Sequence, residues 1–392
     1  MPWQQKDTFI KMSKKQLSHS GLLTPGEALA LSFVSPRFAY SNLKDKFRGE
    51  LNASFPRFFV LHLTDRCNFS CPMCSMAESR RAHLNAGFSD LPIDLVQKLA
   101  LEARRYGAIL NLFGGEPLLY KQLDDVFDVI LRNNLISYVT TNGLLVMKRA
   151  ASLTRGRVNI LQVSLDGWDE ESQLPRGNVP GSFNIIADGI HHILSHKGHS
   201  PSPIVRVATT ITRNNYHHLD SIQMLIHEWG VREWILNNYQ FVTSHILDEH
   251  ASFESTTGIG ELIVGDRIGD HNYFDSGQVS ELKNVLLRVR SNGRSLGMRI
   301  CYNWDIDLDA YYSPAMPSRD SKCLLPFNRV DILADGSITL CMGGYTIGNL
   351  HDGDIHQAWY GDRRKHFLEA LRSYGIFPMC FRCCGITDTL SF

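Results

Sequence analysis

From Arg57 onward the chain alternates short apolar runs with longer stretches in which apolar side chains recur every three or four positions. The short runs, at 58–64, 108–113, 136–141, 158–165, 204–211 and 232–238, read as strands. Between them the helical period appears at 93–100, introduced by Pro92 near its first turn, and at about 121–133, 144–154, 182–196 and 216–229. Strand and helix in alternation predict a parallel sheet with helices outside it. Six such units are too few for a closed eight-stranded barrel. They predict an α/β fold, a partial (β/α)6 TIM-like barrel, with its site at the C-terminal strand ends.

The flanks break this rhythm. Residues 1–55 are mixed, with a helical pattern at 25–31, and read as a packed N-terminal extension. Residues 243–277 are rich in Ser, Thr, Gly, Asp and His and predict a long excursion, a lid or linker, before a helix at 279–291. After Arg299 a cysteine-rich region runs to the C-terminus and predicts a small α+β domain. The expected division is therefore 1–55 extension, 56–242 barrel core, 243–299 linker or lid and helix, and 300–392 cysteine-rich domain. No internal repeat or low-complexity tract is visible.

Composition narrows the class. Forty Lys and Arg balance forty Asp and Glu, so no global field favours nucleic acid or an anionic membrane. No run approaches about 20 apolar residues, so no membrane span is expected. The opening MPWQQKDTFIKMSKKQ lacks the apolar core of a signal peptide, and a cytoplasmic protein is expected. Nine cysteines, clustered in C-x2-C style, then favour metal binding over disulfides.

The first cluster is Cys67-Asn68-Phe69-Ser70-Cys71-Pro72-Met73-Cys74, at the end of the first strand. Three thiols spaced C-x3-C-x2-C can face one soft metal centre, and a fourth local ligand is missing. Cubane iron–sulfur clusters normally take four thiolates. One held by three keeps an open iron, as catalytic zinc keeps an open position. The second strand ends in Gly114-Gly115-Glu116-Pro117, where paired glycines permit close backbone approach and a carboxylate can accept from an ammonium group. Thr140-Thr141-Asn142-Gly143 closes the third strand and Val163-Ser164-Leu165-Asp166-Gly167 the fourth. Gln162, Ser164 and Asp166 share a face by the two-residue period. Asn142 and Asp166 are also ordinary turn formers.

These motifs resemble the radical S-adenosylmethionine (SAM) enzymes, and residues 57–240 look like their partial barrel. The resemblance implies that Cys67, Cys71 and Cys74 bind three irons of a 4Fe–4S cluster whose fourth iron is chelated by SAM. It implies that Gly114, Gly115 and Glu116 bind the SAM amino group. Ser164, and with it Thr141, Asn142 and Asp166, would lie near SAM. Arg176, in Pro175-Arg176-Gly177, resembles an arginine placed on the SAM carboxylate. Met73 stands where an aromatic residue often precedes the last cysteine, and is expected to pack beside the adenine.

A second constellation follows. Cys323, then Gly336 after twelve residues, then Cys341 gives G-x4-C, and Cys380-Phe381-Arg382-Cys383 supplies a C-x2-C pair. Asp335-Gly336 reads as a hairpin turn between 329–334 and 337–340, which would bring Cys323 and Cys341 together. Spacing alone allows zinc or an iron–sulfur cluster. The segment resembles the twitch, or shortened SPASM, extension of radical SAM enzymes, which implies one auxiliary 4Fe–4S cluster on Cys323, Cys341, Cys380 and Cys383. Spacing favours Cys383 over the adjacent Cys384. Gly348-Asn349-Leu350 and Trp359 resemble the stretch that follows in such domains.

Cys301 is left over. It reads as a small buried residue or as a thiol that donates a hydrogen atom, as in radical SAM epimerases. His62, in phase with Val60 and Thr64, reads as a core histidine or as a lumenal base. His191, His192, His196, His217 and His218 read as surface residues, and Asn237-Asn238-Tyr239-Gln240 as a candidate substrate contact. The resemblance implies reductive cleavage of SAM to a 5′-deoxyadenosyl radical. The expected outcome is net oxidation of a small metabolite of sugar or aminocyclitol type by an oxidoreductase, with flavodoxin or ferredoxin as electron donor. A peptide substrate, an epimerisation, and a zinc-stabilised binding protein are the alternatives.

Overall fold

The computed structural model describes residues 55–74, 76, 89–156, 158–197, 202–259, 274–313, 323, 325–341 and 344–383. The helical pattern at 25–31 and Cys384 lie outside the described residues. Strand β1 (Phe58–Thr64) is followed by helix α1 (Ile93–Tyr106), β2 (Ile109–Gly114), α2 (Leu123–Arg132), β3 (Ile136–Thr141), α3 (Val146–Arg155) and β4 (Ile160–Ser164). Then come α4 (Glu170–Gly177), α5 (Ser182–His196), β5 (Ile204–Ile211), α6 (Leu219–Glu228) and β6 (Glu233–Asn238). All six predicted strands are present and pair in parallel with their sequence neighbours.

The parallel sheet explains the apolar runs. One face of each strand carries Phe59, Leu61, Leu63, Leu110, Leu112, Val139, Leu161, Val163, Val207 and Trp234 into the main core with the helices. The opposite face lines the barrel lumen. Its floor is a separate cluster of Phe58, Ile109, Ile136, Tyr138 and Ile160.

Two elements were not expected. The stretch at 243–277, expected as a lid or linker, has residues 260–273 outside the described residues and includes a helix the sequence did not reveal, α7 (Ser244–Thr257). The Thr243 side chain caps its start by accepting from the Ile246 N–H at 3.2 Å, and Gly258, in the left-handed region, ends it. After α8 (Ser276–Ser295), the barrel sheet gains a seventh parallel strand, β7 (Arg299–Cys301), in register with Glu233–Ile235. Cys301 therefore belongs to the barrel sheet, ahead of the remaining cysteines.

The C-terminal part joins the same sheet. After α9 (Leu308–Tyr312) and the short α10 (Leu325–Asn328) come β8 (Arg329–Ile332), β9 (Ser337–Leu340) and β10 (Tyr345–Asn349). The hairpin predicted at Asp335-Gly336 is present, with β8 and β9 antiparallel. Strand β8 also pairs in parallel with β1, Phe58 opposite Arg329 and Val60 opposite Asp331. The sheet has ten strands in the order β10-β9-β8-β1-β2-β3-β4-β5-β6-β7. Helices α11 (Ile355–Tyr360) and α12 (Asp362–Tyr374) follow, with Ala358 of α11 against Gly348 of β10. Phe55 stacks between Tyr106 and His356, and His356 Nε2 meets Glu102 at 2.7 Å, which fastens α11 to α1. Among the described residues no helix is long and apolar enough to cross a membrane.

Leu61 sits in the centre of β1 with no exposed surface. Leu61→Ala should cost about 2–5 kcal/mol, read as a lowered denaturation midpoint. An unchanged midpoint would show that β1 is not central to the core.

Candidate active site at the C-terminal strand ends

The cysteine loop leaves β1 between two backbone clamps. Gly115 N–H donates to the Thr64 carbonyl at 2.8 Å and Glu116 N–H to the Arg66 carbonyl at 2.7 Å. A Cβ on Gly115 would fall 2.2 Å from the Arg66 oxygen, and one on Gly114, at φ 121°, 2.6 Å from the Thr64 oxygen. The paired glycines thus let β2 lie directly against the stem of the loop. On the other side Arg66 Nη2 donates to both Asp90 oxygens, at 2.8 and 2.6 Å.

Glu116 is turned into the protein. It has no exposed surface. One carboxylate oxygen accepts from the Thr141 hydroxyl at 2.8 Å and the Leu118 N–H at 3.0 Å, and the other accepts from the Asn142 N–H at 2.8 Å. The side chain, expected to face an ammonium group, is here a strut between the ends of β2 and β3. Asn142 in turn reaches the loop, its Nδ2 donating to Asn68 Oδ1 at 2.7 Å and lying 3.9 Å from Cys67 Sγ.

Helix α4 closes the loop from the far side. Phe69 packs against Gly177, and Ser70 N–H donates to the Gly177 carbonyl at 3.3 Å. Arg176, expected in a loop, is in this helix and forms a buried ion pair with Asp166. Asp166 also accepts from the Thr210 N–H at 2.7 Å, so it ties β4 to β5. Burial pushes the Cys71 thiol up to about 11; Arg176 pulls the other way, and Cys74 and Cys67 add to the rise. The three thiols and the guanidinium therefore share one neighbourhood. Met73 is half-buried within the same loop.

Below this rim the lumen has two layers fixed by register. Ser164, Ala208, Ile235 and Cys301 lie in one row across β4, β5, β6 and β7. Beneath them Thr140, Gln162, Arg206, Glu233 and Arg299 form a polar row. Tyr138 hydrogen-bonds Gln162, and Glu233 is held by Arg206 at 2.7 Å and Arg299 at 2.9 Å. Asn238 is buried and accepts from the Tyr302 hydroxyl at 3.2 Å. His217 and His218, read from sequence as surface residues, are half-buried, with the His218 ring 4.2 Å from that of Trp168.

The C-terminal thiols converge at the end of β9. Cys341 adopts φ 59°, a conformation costly for a residue with a Cβ. Burial holds its thiol well above the usual range, with Cys323, Cys380 and Asp331 adding to the rise and Arg329 opposing it. Cys380 is pushed up to about 12 by burial and by Cys323. Cys383 follows Cys380 in one turn, its N–H donating to the Cys380 carbonyl at 3.0 Å. Both thiol groups suit a centre that takes up several thiolates and displaces their protons.

Sequence reading missed three residues here. Arg329 and Asp331 are buried on the lumen face of β8, their alternation on a short apolar strand being the signal that was available. Arg382 lies over the Phe241 ring at 4.1 Å and donates to the carbonyls of Tyr311 and Ser313, anchoring the C-x2-C turn.

Comparison with known proteins accords with both constellations. Residues 61–226 match the model of the radical SAM superfamily, and residues 323–384 match that of an iron–sulfur cluster-binding domain, SPASM. A probable GTP 3′,8-cyclase of Methanocella arvoryzae is 32% identical over 136 residues, 34% of this chain and 42% of that protein. The GTP 3′,8-cyclase of Paenarthrobacter nicotinovorans is 34% identical over 120 residues, 29% of this chain and 32% of that protein. The chain thus spans less than half the length of these curated relatives. Among solved structures, Streptococcus suis SuiB bound to S-adenosylmethionine superposes with a TM-score of 0.60 at 15% identity, covering 96% of this chain and 89% of that one.

The Glu116 strut has a measurable consequence. Burial raises its carboxyl to about 7 against the opposing hydrogen bonds from Asn142, Thr141 and Leu118. In the unfolded chain it titrates near 4.5. Between those values the folded chain keeps a proton that the unfolded chain has lost, so stability falls as pH rises through the window. Denaturation at about pH 5 and about pH 8 should show that fall in the wild type and a smaller one in Glu116→Gln. Equal falls would remove the carboxylate from this role.

Proposed function

Since this chain is a radical SAM enzyme with a SPASM-like auxiliary-cluster domain, we propose that it carries out net oxidation of a small polar metabolite in its barrel lumen. Its cofactors are SAM and 4Fe–4S clusters. Bound together, SAM and the first cluster supply a 5′-deoxyadenosyl radical that can take a hydrogen atom from an unactivated carbon.

The chain's own residues provide binding, orientation and exclusion of water. Cys67, Cys71 and Cys74 hold the first cluster, with Arg176 as a fixed cation beside them. Gly114 and Gly115 seat the loop through backbone contacts, while Asn142, Ser164 and Met73 stand at the rim as SAM contacts. Thr141 and Glu116 act behind that rim as supports, and Asp166 fixes Arg176. Cys323, Cys341, Cys380 and Cys383 hold one auxiliary cluster. Residues 56–242, joined by β7, serve as the radical-generating core, and the residues after Cys301 as the auxiliary domain.

One observation carries the oxidation reading. Asp331 meets His62 in the lumen and lies opposite Thr339, two residues before Cys341, so a second redox centre on Cys341 would border the reaction space. The polar row of Gln162, Arg206, Glu233 and Arg299 supports a substrate with hydroxyl or amino groups, such as a sugar or an aminocyclitol. A flavodoxin or ferredoxin is the proposed electron donor. Cyclisation, suggested by the curated relatives' name, and peptide modification are alternatives that product mass distinguishes. A SuiB structure bound to precursor peptide SuiA, at 16% identity, shares the fold alone.

Anaerobic reconstitution should give about eight iron and eight sulfide per chain. Cys67→Ala, Cys71→Ala or Cys74→Ala should remove about half the iron and all formation of 5′-deoxyadenosine from SAM. Cys341→Ala or Cys380→Ala should also remove about half but leave that formation in place. About two zinc per chain with no iron would instead establish a zinc-stabilised binding protein.

A second reading rests on Cys301, which lies in the lumen row with Ser164, Ala208 and Ile235. If the enzyme epimerises its substrate, Cys301→Ala should abolish product while SAM cleavage continues. Unchanged turnover would leave Cys301 a packing residue.

A further inference from the structure

His62 lies on the lumen face of β1 and is only 3% exposed. Its Nε2 is 3.3 Å from Asp331 Oδ1. Among the described residues its Nδ1, which is buried, has no hydrogen-bond partner. The edge of Phe113 closes one side of the ring, with centroids 5.2 Å apart. Asp331 has no exposed surface and is gripped twice by Arg329, Nε to Oδ2 at 2.8 Å and Nη2 to Oδ1 at 2.7 Å. Burial alone would raise the Asp331 carboxyl, but Arg329 and His62 hold it down to about 2. An ionised carboxylate only accepts hydrogen bonds, so a neutral His62 must carry its proton on Nε2. The Nδ1 lone pair then faces no donor among the described residues. A buried acceptor in that state is costly to keep, which points to a donor that arrives with the substrate.

The remaining charged groups around the lumen have partners of their own. From β5, β6 and β7 these are Arg206, Glu233 and Arg299, joined to one another, and from β3 Tyr138, bonded to Gln162. Strand β2 contributes only Asn111 and Phe113 beside His62, and β8 contributes Arg329 and Asp331. On their far side Asp331 lies opposite Thr339 across the β8–β9 pair, and Cys341 follows Thr339 by two residues, close enough for Asp331 and Arg329 both to act on its thiol.

We infer that His62 is the proton acceptor for substrate oxidation, and that Asp331 links the proton it takes to the auxiliary cluster on Cys341. This deepens the oxidation reading and rests on it. After a hydrogen atom has left the substrate carbon, that carbon carries one unpaired electron next to an O–H or N–H group. The O–H or N–H bond breaks, its proton goes to Nδ1 of His62, and the unpaired electron passes to the oxidised auxiliary iron–sulfur cluster. The carbon–oxygen or carbon–nitrogen double bond forms in the same step. A protonated His62 places a cation against Asp331, which offsets its negative charge as seen from Cys341 and favours the reduced cluster.

The coupling can be tested without knowing the substrate. In the full chain with Cys67, Cys71 and Cys74 changed to Ala, the auxiliary cluster is read alone, and its midpoint potential is followed by electron paramagnetic resonance between about pH 6 and about pH 8.5. The midpoint should fall as pH rises, His62→Gln should abolish that dependence, and Glu233→Gln should leave it in place. Asp331→Asn should shift the midpoint upward and weaken the dependence. The same slope in His62→Gln as in the parent, or no slope in the parent, overturns the inference. If the Gln variant takes up no cluster, His62→Asn serves in the same comparison. Failure of the parent to hold any iron at Cys323, Cys341, Cys380 and Cys383 would sink the oxidation reading itself, a result separate from a loaded but pH-indifferent cluster.

Discussion

The rest of the molecule depends on β1 having a parallel neighbour on each side. Its seven residues are buried throughout, which is tolerable for a backbone only if both rows of peptide groups are paired. Strand β2 pairs one side and β8 the other. The Arg57 N–H extends the second seam by donating to the Asn328 carbonyl at 2.7 Å. Because register in a sheet also fixes facing, the β8 pairing sends Val330 and Ile332 into the helical core and leaves Arg329 and Asp331 toward the lumen. A slip of one residue would bury two charges against the helices, so the hydrophobic pattern of β8 enforces the register that the lumen chemistry uses.

What could be read from the chain follows the range of each interaction. The six strands were legible because parallel strands, covered on both faces, are apolar almost without interruption. The three-residue strand Arg299–Cys301 was not, since so short a run has no period and forms because β6 offers it an edge. Helix α7 has few apolar positions, with Ile246 and His250 its buried residues, and the polar bulk hid it. Thr243 and Gly258 were the readable cap signals. The cysteine spacings were legible because a loop's own sequence decides how its thiols can cluster. The inward turn of Glu116 was not, as it is set by Thr141 and Asn142, about 25 residues away. In the same way Arg329 and Asp331 looked like strand charges, and their partner His62 lies 269 residues from Asp331.

Three buried charge groups around the barrel are arranged as matched sets. Arg176 faces Asp166, Arg329 faces Asp331, and Glu233 lies between Arg206 and Arg299. Such pairs rarely add net stability over apolar packing, but losing one partner costs about 3–5 kcal/mol. Their value here is orientation. Arg176 is held by Asp166 against the cysteine loop, where an unheld arginine would extend to water. Arg329 is spent on Asp331, which fixes the carboxylate that in turn fixes the His62 ring. Of the two ring nitrogens, Nε2 is held by Asp331, while Nδ1 has no partner among the described residues.

A substrate that has lost a hydrogen atom cannot wait for a domain to swing into place. The proton and the electron must leave from a site where both exits already stand, or the reactive carbon will take a hydrogen atom back from whatever is near. One continuous sheet meets that demand better than two domains joined by a linker. Thr64 leads from β1 to the first cysteine loop, His62 lies two residues earlier on the same strand, and Asp331 on the next strand borders the second thiol group. These distances are then set by strand spacing and backbone hydrogen bonds, the stiffest elements a protein has, and not by the packing of mobile surfaces.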